Sequence, residues 1–379
     1  ITPDSRLYFL RALSNLRIWL GQDQFSFQVE GNVGENGYLY ILSFYYYLIN
    51  FLPQVANPVS LFSEKLINCL IGVLLAIPIF YISKDIFNRK IAKVASFLVI
   101  FYPSLMLWSI TNMREPINIL LVSLGIFSMM RFFKYKKFGY LIVTGLSLLL
   151  LISIKKYFFF FMLLVGGVSS VIFIFLYYKN QISRLIIALI MITLFLNFTG
   201  IGNKIKTRFL ANANFDYIAQ RLHTENVGFL SEGGVLYRIY DDDFIVNEKV
   251  NKIKFIKAFT KGCFYFILVP LLWKISTLSQ LLACPQTIIW YCLLPFTLIG
   301  LIFAIRYRFK ESFVVLVYLL TVTAQFALVE ANVGTAMRHR DMVIVFYFIF
   351  AAAGLFKLCK GDLMFENSSF IARDKITGE

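Results

Sequence analysis

The chain has 379 residues, of which 59% are hydrophobic, 17% aromatic and only 15% charged. This composition excludes an ordinary soluble domain, and the mean hydropathy of +0.73 comes from repeated apolar stretches of about 20 residues. The 37 Lys and Arg residues against 21 Asp and Glu residues give a net charge of +16. Most of this excess lies in short segments between apolar stretches, so it indicates membrane topology and not nucleic-acid binding. The sequence predicts an all-α, polytopic transmembrane helical bundle.

Hydropathy along the chain predicts a series of membrane spans at 66–82, 94–110, 116–131, 138–154, 157–177, 185–200, 286–305, 312–330 and 342–357. Clusters of Lys and Arg recur on one side of these spans, and the positive-inside tendency places that side in the cytoplasm. The first residues then lie outside. An additional helix upstream of Ile1 is expected to deliver them there, which makes about ten spans in the complete protein.

The same reading divides the chain into five parts. They are an external first loop with an interfacial helix, transmembrane helices, an external loop with a re-entrant or interfacial segment, C-terminal transmembrane helices and a cytoplasmic tail, at 1–65, 66–200, 201–285, 286–357 and 358–379. The interfacial helix is predicted at 37–52, and the re-entrant or interfacial segment at 262–277. Because the large hydrophilic pieces are external, any chemistry is predicted on that face.

Asp4 lies in the segment Thr2-Pro3-Asp4-Ser5-Arg6-Leu7-Tyr8, close to the predicted external membrane surface. A carboxylate at this place can deprotonate an acceptor hydroxyl group or hold a metal ion beside a lipid-borne substrate. An aspartate after a proline is also a common helix N-cap. Both interpretations stand at this point.

A second candidate group, Arg114 and Glu115, lies in a short external turn before Pro116. An acid and a proline at this position are typical of the first turn of a helix, which accounts for Glu115 and Pro116. Arg114 is not explained in this way, because the positive-inside tendency disfavours it here. It can bind a phosphate or carboxylate, or it can extend its charge to the membrane surface.

A third group, Arg338, His339 and Arg340, lies between the last two predicted spans, again on the external side. The planar guanidinium matches phosphate oxygens, so Arg338 and Arg340, at alternate positions, predict a site that grips a phosphate or diphosphate together with His339. Anionic lipid head groups are the competing ligand. A tight turn is predicted at Asn332, and Asp341 is predicted to orient an arginine.

Several of these segments resemble the GT-C membrane glycosyltransferases. Pro3-Asp4-Ser5-Arg6-Leu7-Tyr8 is similar to the Pro-Asp-Glu-x-x-Tyr signature of the bacterial family 39-like enzymes, which use polyprenyl-phosphate sugars, with Ser5 in place of the second acid. The stretch from Phe101 through Glu115 resembles the region between the third and fourth spans of those enzymes. The segments Gly334-Thr335…Arg338-His339-Arg340 and Trp290-Tyr291…Leu294-Pro295 resemble GT-C-like proteins of polysaccharide clusters.

The resemblance implies a role for each candidate residue. Asp4 is implied as the base that activates the acceptor, and Glu115 as a second acid. Arginines placed beforehand can stabilise the charge that develops on a departing phosphate, and this role is expected of Arg338, Arg340 and Arg114. Residues expected to support the site are Arg6, Tyr8, Asn332 and Asp341.

The predicted function is transfer of a sugar from a polyprenyl-phosphate donor to a glycan, lipid or protein acceptor, at the external, periplasmic face of a bacterial cytoplasmic (inner) membrane. The alternatives are a polymerase or ligase that acts on polyprenyl-pyrophosphate-linked oligosaccharides, and a membrane transporter. Asp4 separates the first two, since it is expected to be dispensable in an arginine-driven polymerase. The five cysteines and two histidines show no metal-ligand spacing. A divalent cation, Mg²⁺ or Mn²⁺, stays open as a cofactor.

Overall fold

The computed structural model describes residues 3–22, 36–50, 61–111, 113–177, 215–231, 236–241, 244–246 and 249–360. The chain forms two compact units. The first comprises Ile1–Phe160, Leu294–Glu311 and Phe348–Glu379, and the second comprises Phe161–Leu293 and Ser312–Tyr347.

The first unit begins with helices α1 (Pro3–Trp19) and α2 (Gly37–Asn50), which pack against each other. The rings of Tyr8 and Tyr38 meet edge to face with their centroids 5.2 Å apart. The Ser43 hydroxyl lies 3.3 Å from the carbonyl of Ala12, one of its two backbone acceptors. Helix α2 is the helix that the sequence predicted at 37–52, while its position at the membrane interface stays a prediction.

Four helices continue this unit: α3 (Leu61–Leu74), α4 (Ala76–Ile86), α5 (Arg89–Phe101) and α6 (Pro103–Ile110). Asn88 caps α5, because its side-chain oxygen accepts bonds from the backbone N–H groups of Lys90 and Ile91. Helices α5 and α6 meet at an angle of 52°. Pro103 explains this bend, since it cannot donate a helical hydrogen bond and it holds the preceding Tyr102 in an extended conformation.

The next three helices are α7 (Glu115–Tyr135), α8 (Phe138–Ile154) and α9 (Lys156–Tyr177). Lys136 has a positive φ of 53° and ends α7 in a left-handed C-cap. On α7, Arg131 donates from Nε and Nη2 to both carboxylate oxygens of Asp85, at 2.6 and 3.3 Å.

The remaining described helices are α10 (Phe215–Ser231), α11 (Lys252–Leu268), α12 (Leu278–Leu282), α13 (Cys284–Tyr307), α14 (Phe309–Val329) and α15 (Val333–Lys360). A short antiparallel hairpin, β1 (Ile245–Val246) and β2 (Lys249–Val250), pairs Ile245 with Val250. The segment predicted as an external loop, 201–285, therefore contains the two 17-residue helices α10 and α11. Its part at 262–277 consists of the end of α11, an extended stretch and a 3₁₀ turn at Leu272–Lys274.

In each unit, two helices cross closely at a glycine. In the first unit, a Cβ atom on Gly300 of α13 would lie 1.9 Å from the carbonyl oxygen of Phe350 on α15. In the second unit, a Cβ atom on Gly262 of α11 would lie 1.8 Å from the carbonyl oxygen of Ala327 on α14. Only glycine allows the two backbones to approach this closely.

The predicted transmembrane bundle is confirmed. Six described helical segments are long and apolar enough to cross a membrane: the segment Lys65–Ile86, which α3 and α4 form together, and α7, α9, α13, α14 and α15. The bent pair α5–α6 would make a seventh, and α8 is a shorter apolar helix. Each predicted span except 185–200, which lies outside the described residues, overlaps one of these segments. The protein is a multi-pass membrane protein.

One boundary was wrong in a way that matters for the site. The last span was predicted at 342–357, whereas α15 begins at Val333. Arg338, His339 and Arg340 therefore lie within the first turns of a helix and not in a loop.

Candidate functional site

Asp4 is the second residue of α1, and its side chain lies outside the described residues. Of its neighbours in the signature segment, Arg6 is exposed, whereas Tyr8 is buried against Tyr38 of α2. Tyr8 thus supports the packing of the two N-terminal helices, while its predicted role near a substrate is untested.

Asn68 on α3 connects these helices to the turn that precedes Glu115. It is fully buried; its Nδ2 donates to the carbonyls of Thr111 and Met113, at 2.7 and 3.0 Å, and its Oδ1 accepts from the Tyr38 hydroxyl at 3.3 Å. The backbone that carries Arg114 is therefore fixed from α3.

Arg114 and Glu115 lie together at the start of α7, near the end of α8. The Arg114 Nη1 donates to the carbonyl of Ile154 at 3.2 Å, and the Lys155 ammonium lies 3.7 Å from the carboxylate of Glu115. Both members of this ion pair are buried, with 3% and 0% of their side chains exposed. Glu115 thus forms an internal ion pair, and a positively charged neighbour disfavours a divalent cation at this carboxylate.

Arg338 and Arg340 lie on a helix, which contradicts the prediction that they bind one phosphate from alternate positions of a loop. Residues two apart on an α-helix do not face each other, so these two arginines cannot close on one phosphate as alternate positions of an extended loop would. The predicted turn at Asn332 is the helix cap, since its side-chain oxygen accepts from the Gly334 N–H at 2.8 Å. Asp341 is buried at the position after Arg340.

His339 is paired with Glu330, the last residue before the turn into α15. The His339 Nδ1 and a Glu330 carboxylate oxygen are in direct contact, and the other oxygen accepts from the Thr335 hydroxyl at 2.7 Å. The imidazole ring also stacks on Phe326 with centroids 4.3 Å apart. The carboxylate of Glu330 is thus bonded on both oxygens, and His339 is held by two contacts.

Asn226 of α10 fixes the backbone beside this pair. Its Nδ2 donates to the carbonyls of Val329 and Glu330, at 3.0 and 2.8 Å. The Tyr240 hydroxyl donates to the adjacent carbonyl of Leu328 at 2.9 Å. Burial raises the pKa of Tyr240, so this hydroxyl keeps its proton as a donor.

Arg340 is almost completely buried, with 1% of its surface exposed. Its Nη1 donates to the carbonyls of Ile267 and Val269 at the end of α11. The carbonyls in the same stretch also accept side-chain bonds from α13, at 2.8 Å from Trp290 to Ile267 and at 2.6 Å from Tyr291 to Leu268. The side of the guanidinium that carries Nη1 is therefore rigidly anchored.

The other edge of the Arg340 guanidinium, which carries Nε and Nη2, makes no such bonds to the described residues. Its Nε and Nη2 are buried, and no hydrogen-bond partner for them lies in the part of the chain that the structure describes. The hydroxyl of Tyr237 is also buried and has no hydrogen-bond partner among the described residues. The Tyr237 ring stacks on that of Tyr265, with the centroids 4.5 Å apart. Burial, followed by the nearby charge of Glu330, raises the pKa of Tyr237 well above its ordinary value, while Arg340 opposes this shift.

Among the described residues, no group of three or more His, Cys, Asp or Glu side chains could hold a metal ion. A cavity of about 180 Å³ lies beside the bend between α5 and α6. It is lined mainly by apolar side chains such as Leu105, Trp108 and Ile119, and by none of the predicted site residues.

Three residues of these clusters were not predicted from the sequence. Lys155 carries no local signal, since its partner Glu115 lies on another helix. Tyr237 lies in a segment predicted as a plain loop. Glu330 directly follows α14 and precedes the basic segment in the sequence, so it could have been recognised as a partner for a basic side chain.

Residues 34–208 match the family of dolichyl-phosphate-mannose-protein mannosyltransferases. This match confirms the resemblance to GT-C membrane glycosyltransferases and supports a glycosyltransferase activity. It includes Arg114 and Glu115 but begins after Asp4.

A solved structure, that of the archaeal oligosaccharyltransferase AglB from Archaeoglobus fulgidus in complex with an inhibitory peptide and a dolichol-phosphate, is similar over 93% of this chain, with 13% identity and a TM-score of 0.47. The chain spans about half of that protein's length, 46%. No curated protein matches the sequence.

Proposed function

We propose that this chain, which resembles the GT-C membrane glycosyltransferases, transfers a sugar from a polyprenyl-phosphate-linked donor to an acceptor on the external face of a bacterial cytoplasmic membrane. The observation that carries the proposal is the match of residues 34–208 to a family described by a dolichyl-phosphate-linked sugar and a protein acceptor. The multi-pass architecture supports it, because a donor with a polyprenyl chain has to reach the site from the membrane.

In the proposed reaction, the acceptor hydroxyl oxygen attacks the anomeric carbon of the sugar. The bond between this carbon and the phosphate oxygen breaks, and its electron pair stays on the departing polyprenyl phosphate. The hydroxyl proton passes to the carboxylate of Asp4, which acts as the general base. A single displacement of this kind inverts the anomeric configuration.

The departing phosphate gains negative charge, so hydrogen-bond donors that are already in position lower the barrier. Arg340 has the geometry for this role, because its anchored Nη1 leaves the parallel Nε and Nη2 groups for two phosphate oxygens. Arg114 and Arg338 are further candidates for this role. Glu115 is proposed to hold Lys155 and the start of α7, because its carboxylate is buried and paired.

The test uses the complete protein in liposomes that contain a polyprenyl-phosphate-linked sugar and candidate acceptors. We expect one polyprenyl phosphate to be released for each sugar transferred. Asp4→Asn should slow the transfer by about 10²-fold or more, since general-base catalysis contributes about 10²–10⁴-fold. Arg17→Gln, at an exposed position near the end of the same helix, is the matched control and should retain most of the activity.

Two further arms test the alternative function and the need for a metal ion. Consumption of a pyrophosphate-linked oligosaccharide by the wild type and equally by Asp4→Asn would contradict the proposal and support an arginine-driven polymerase. Chelation with EDTA, followed by Mg²⁺ or Mn²⁺, tests whether the reaction needs a divalent cation.

A further inference from the structure

Arg340 is a buried cation for which the described residues supply no anionic partner. Only 1% of its surface is exposed, and the ion pairs found in the described part of the second unit join other side chains. Buried charges in proteins are normally paired, because removing an unpaired charge from water costs several kcal/mol. The surroundings of Arg340 therefore favour a bound anion.

The geometry of Arg340 defines the shape of that anion. Its Nη1 is fixed by the carbonyls of Ile267 and Val269, while Nε and Nη2 have no partner among the described residues. These two N–H groups lie along one edge of a planar group and point in parallel. They match two oxygens of one phosphate or carboxylate group.

Tyr237 supplies a second, independent donor. It is 7% exposed, and its hydroxyl is buried without a partner in the described structure. Its backbone is fixed, because its N–H donates to the carbonyl of Ala331 at 2.7 Å and the neighbouring Leu236 bridges to Asn332. Its ring stacks on Tyr265 of α11, two residues before Ile267, whose carbonyl accepts from Arg340, so both side chains lie at the same end of α11. Burial raises the pKa of Tyr237, which keeps its hydroxyl protonated.

Glu330 does not replace the missing anion. Its two carboxylate oxygens are bonded to His339 and Thr335, and no ion pair joins it to Arg340 in the described structure. His339 is likewise committed to Glu330. Beside this pair, the Nε/Nη2 edge of Arg340 and the hydroxyl of Tyr237 are buried donors without a partner among the described residues.

We propose that Arg340 and Tyr237 together bind a single phosphate group, with two bonds from the guanidinium edge and a third from the tyrosine hydroxyl. Because these atoms are shielded from solvent, a phosphate held by them is desolvated, which strengthens each bond. The assignment of this phosphate to the lipid donor rests on the proposed function. Free inorganic phosphate offers the same chemistry and is the other source.

The test measures binding without sugar transfer. The full chain in nanodiscs is titrated with polyprenyl phosphate and, separately, with inorganic phosphate, and bound ligand is counted by native mass spectrometry. Tyr237→Phe should weaken the binding of polyprenyl phosphate by about tenfold, as expected for a hydrogen bond to a charged group. Arg340→Lys, which keeps the charge but loses the parallel donors, should weaken it at least as much.

Tyr265→Phe is the matched control, because it removes a hydroxyl from the ring stacked on Tyr237, and it should bind polyprenyl phosphate within about twofold of the wild type. Equal binding of both phosphates by Tyr237→Phe and the wild type would overturn the inference. If Tyr237→Phe weakens only the binding of inorganic phosphate, the result would support the site and assign it to free phosphate.

The two proposals can fail separately. A wild type that binds polyprenyl phosphate through Tyr237 and Arg340, but transfers no sugar, contradicts the proposed function and leaves this site in place. Sugar transfer that is unchanged in Tyr237→Phe, together with unchanged phosphate binding, contradicts only the inference.

Discussion

The imidazole of His339 lies against the carboxylate of Glu330, and both side chains are buried, with 8% and 0% of their surface exposed. The pair joins the turn after α14 to the second helical turn of α15. It also orders the backbone on which Arg340 stands, one position further along the helix. His339, which the sequence predicted as part of a phosphate site, therefore also has a structural role.

Glu330→Gln is expected to destabilise the protein markedly. The neutral amide weakens the bonds that the Glu330 carboxylate makes with His339 and Thr335, and hydrogen bonds to charged groups contribute about 1.5–3 kcal/mol. Thermal unfolding in detergent should show a lowered midpoint. The double variant Glu330→Gln/His339→Gln should lose less than the sum of the two single variants; strict additivity would show that the two side chains are not coupled.

Gly262→Ala is expected to disrupt the crossing of α11 and α14. The added Cβ atom would lie 1.8 Å from the carbonyl oxygen of Ala327, a backbone atom that cannot move aside by rotation. Overpacking of this kind costs about 1–3 kcal/mol or more. Gly139→Ala is the control, since nothing lies within 4 Å of its Cβ position on α8. It should keep the unfolding midpoint or raise it slightly, and equal losses for both variants would contradict the packing argument.

The membrane spans could be predicted because hydropathy depends on composition alone and needs no knowledge of contacts. The start of α15 could not be found in this way, since Arg338 to Asp341 are polar and lower the local hydropathy. The helix begins there because Asn332 caps its first turn and because Glu330 is a partner for the buried His339. A local signal did exist, because an asparagine two positions before a glycine is compatible with a helix N-cap.

The candidate site residues were chosen by residue type, and the sequence did not give their geometry. Arg340 was recognised because an external arginine opposes the topological bias. Its separation from Arg338 depends on the helical period, and Tyr237 depends on a backbone pairing between segments far apart in the sequence. Contacts between distant segments leave no trace in a single sequence, so Lys155 and Tyr237 could not have been found from it.

Asn68→Ala is expected to reduce both stability and sugar transfer. The substitution removes the two bonds that Asn68 donates to the carbonyls of Thr111 and Met113, and each such bond contributes about 0.5–1.5 kcal/mol. The turn that carries Arg114 then loses its link to α3. Asn15→Ala is the control, since it removes one part-buried bond of 3.3 Å to Ser43. Unfolding midpoints and transfer rates of the two variants should differ, and a similar small effect would rule out the positioning role of Asn68.

The ion pair of Arg131 and Asp85 is expected to stabilise the protein more than that of Lys257 and Asp241. Arg131 donates twice to Asp85, their side chains are 19% and 13% exposed, and the guanidinium lies 5.0 Å from the ring centroid of Phe127. Lys257 makes one bond with its side chain 66% exposed, so solvent screens it.

Arg131→Lys should therefore lower the unfolding midpoint, because lysine lacks the planar fork that engages both oxygens. Lys257→Gln should change the free energy of unfolding by no more than about 1 kcal/mol. The measurement is thermal unfolding at low and high salt. Added salt should reduce the effect of Lys257→Gln on the unfolding midpoint more than the effect of Arg131→Lys, since exposed charges are screened more strongly than partly buried ones. Equal losses in the two variants would show that burial and bidentate geometry do not decide the strength of these pairs.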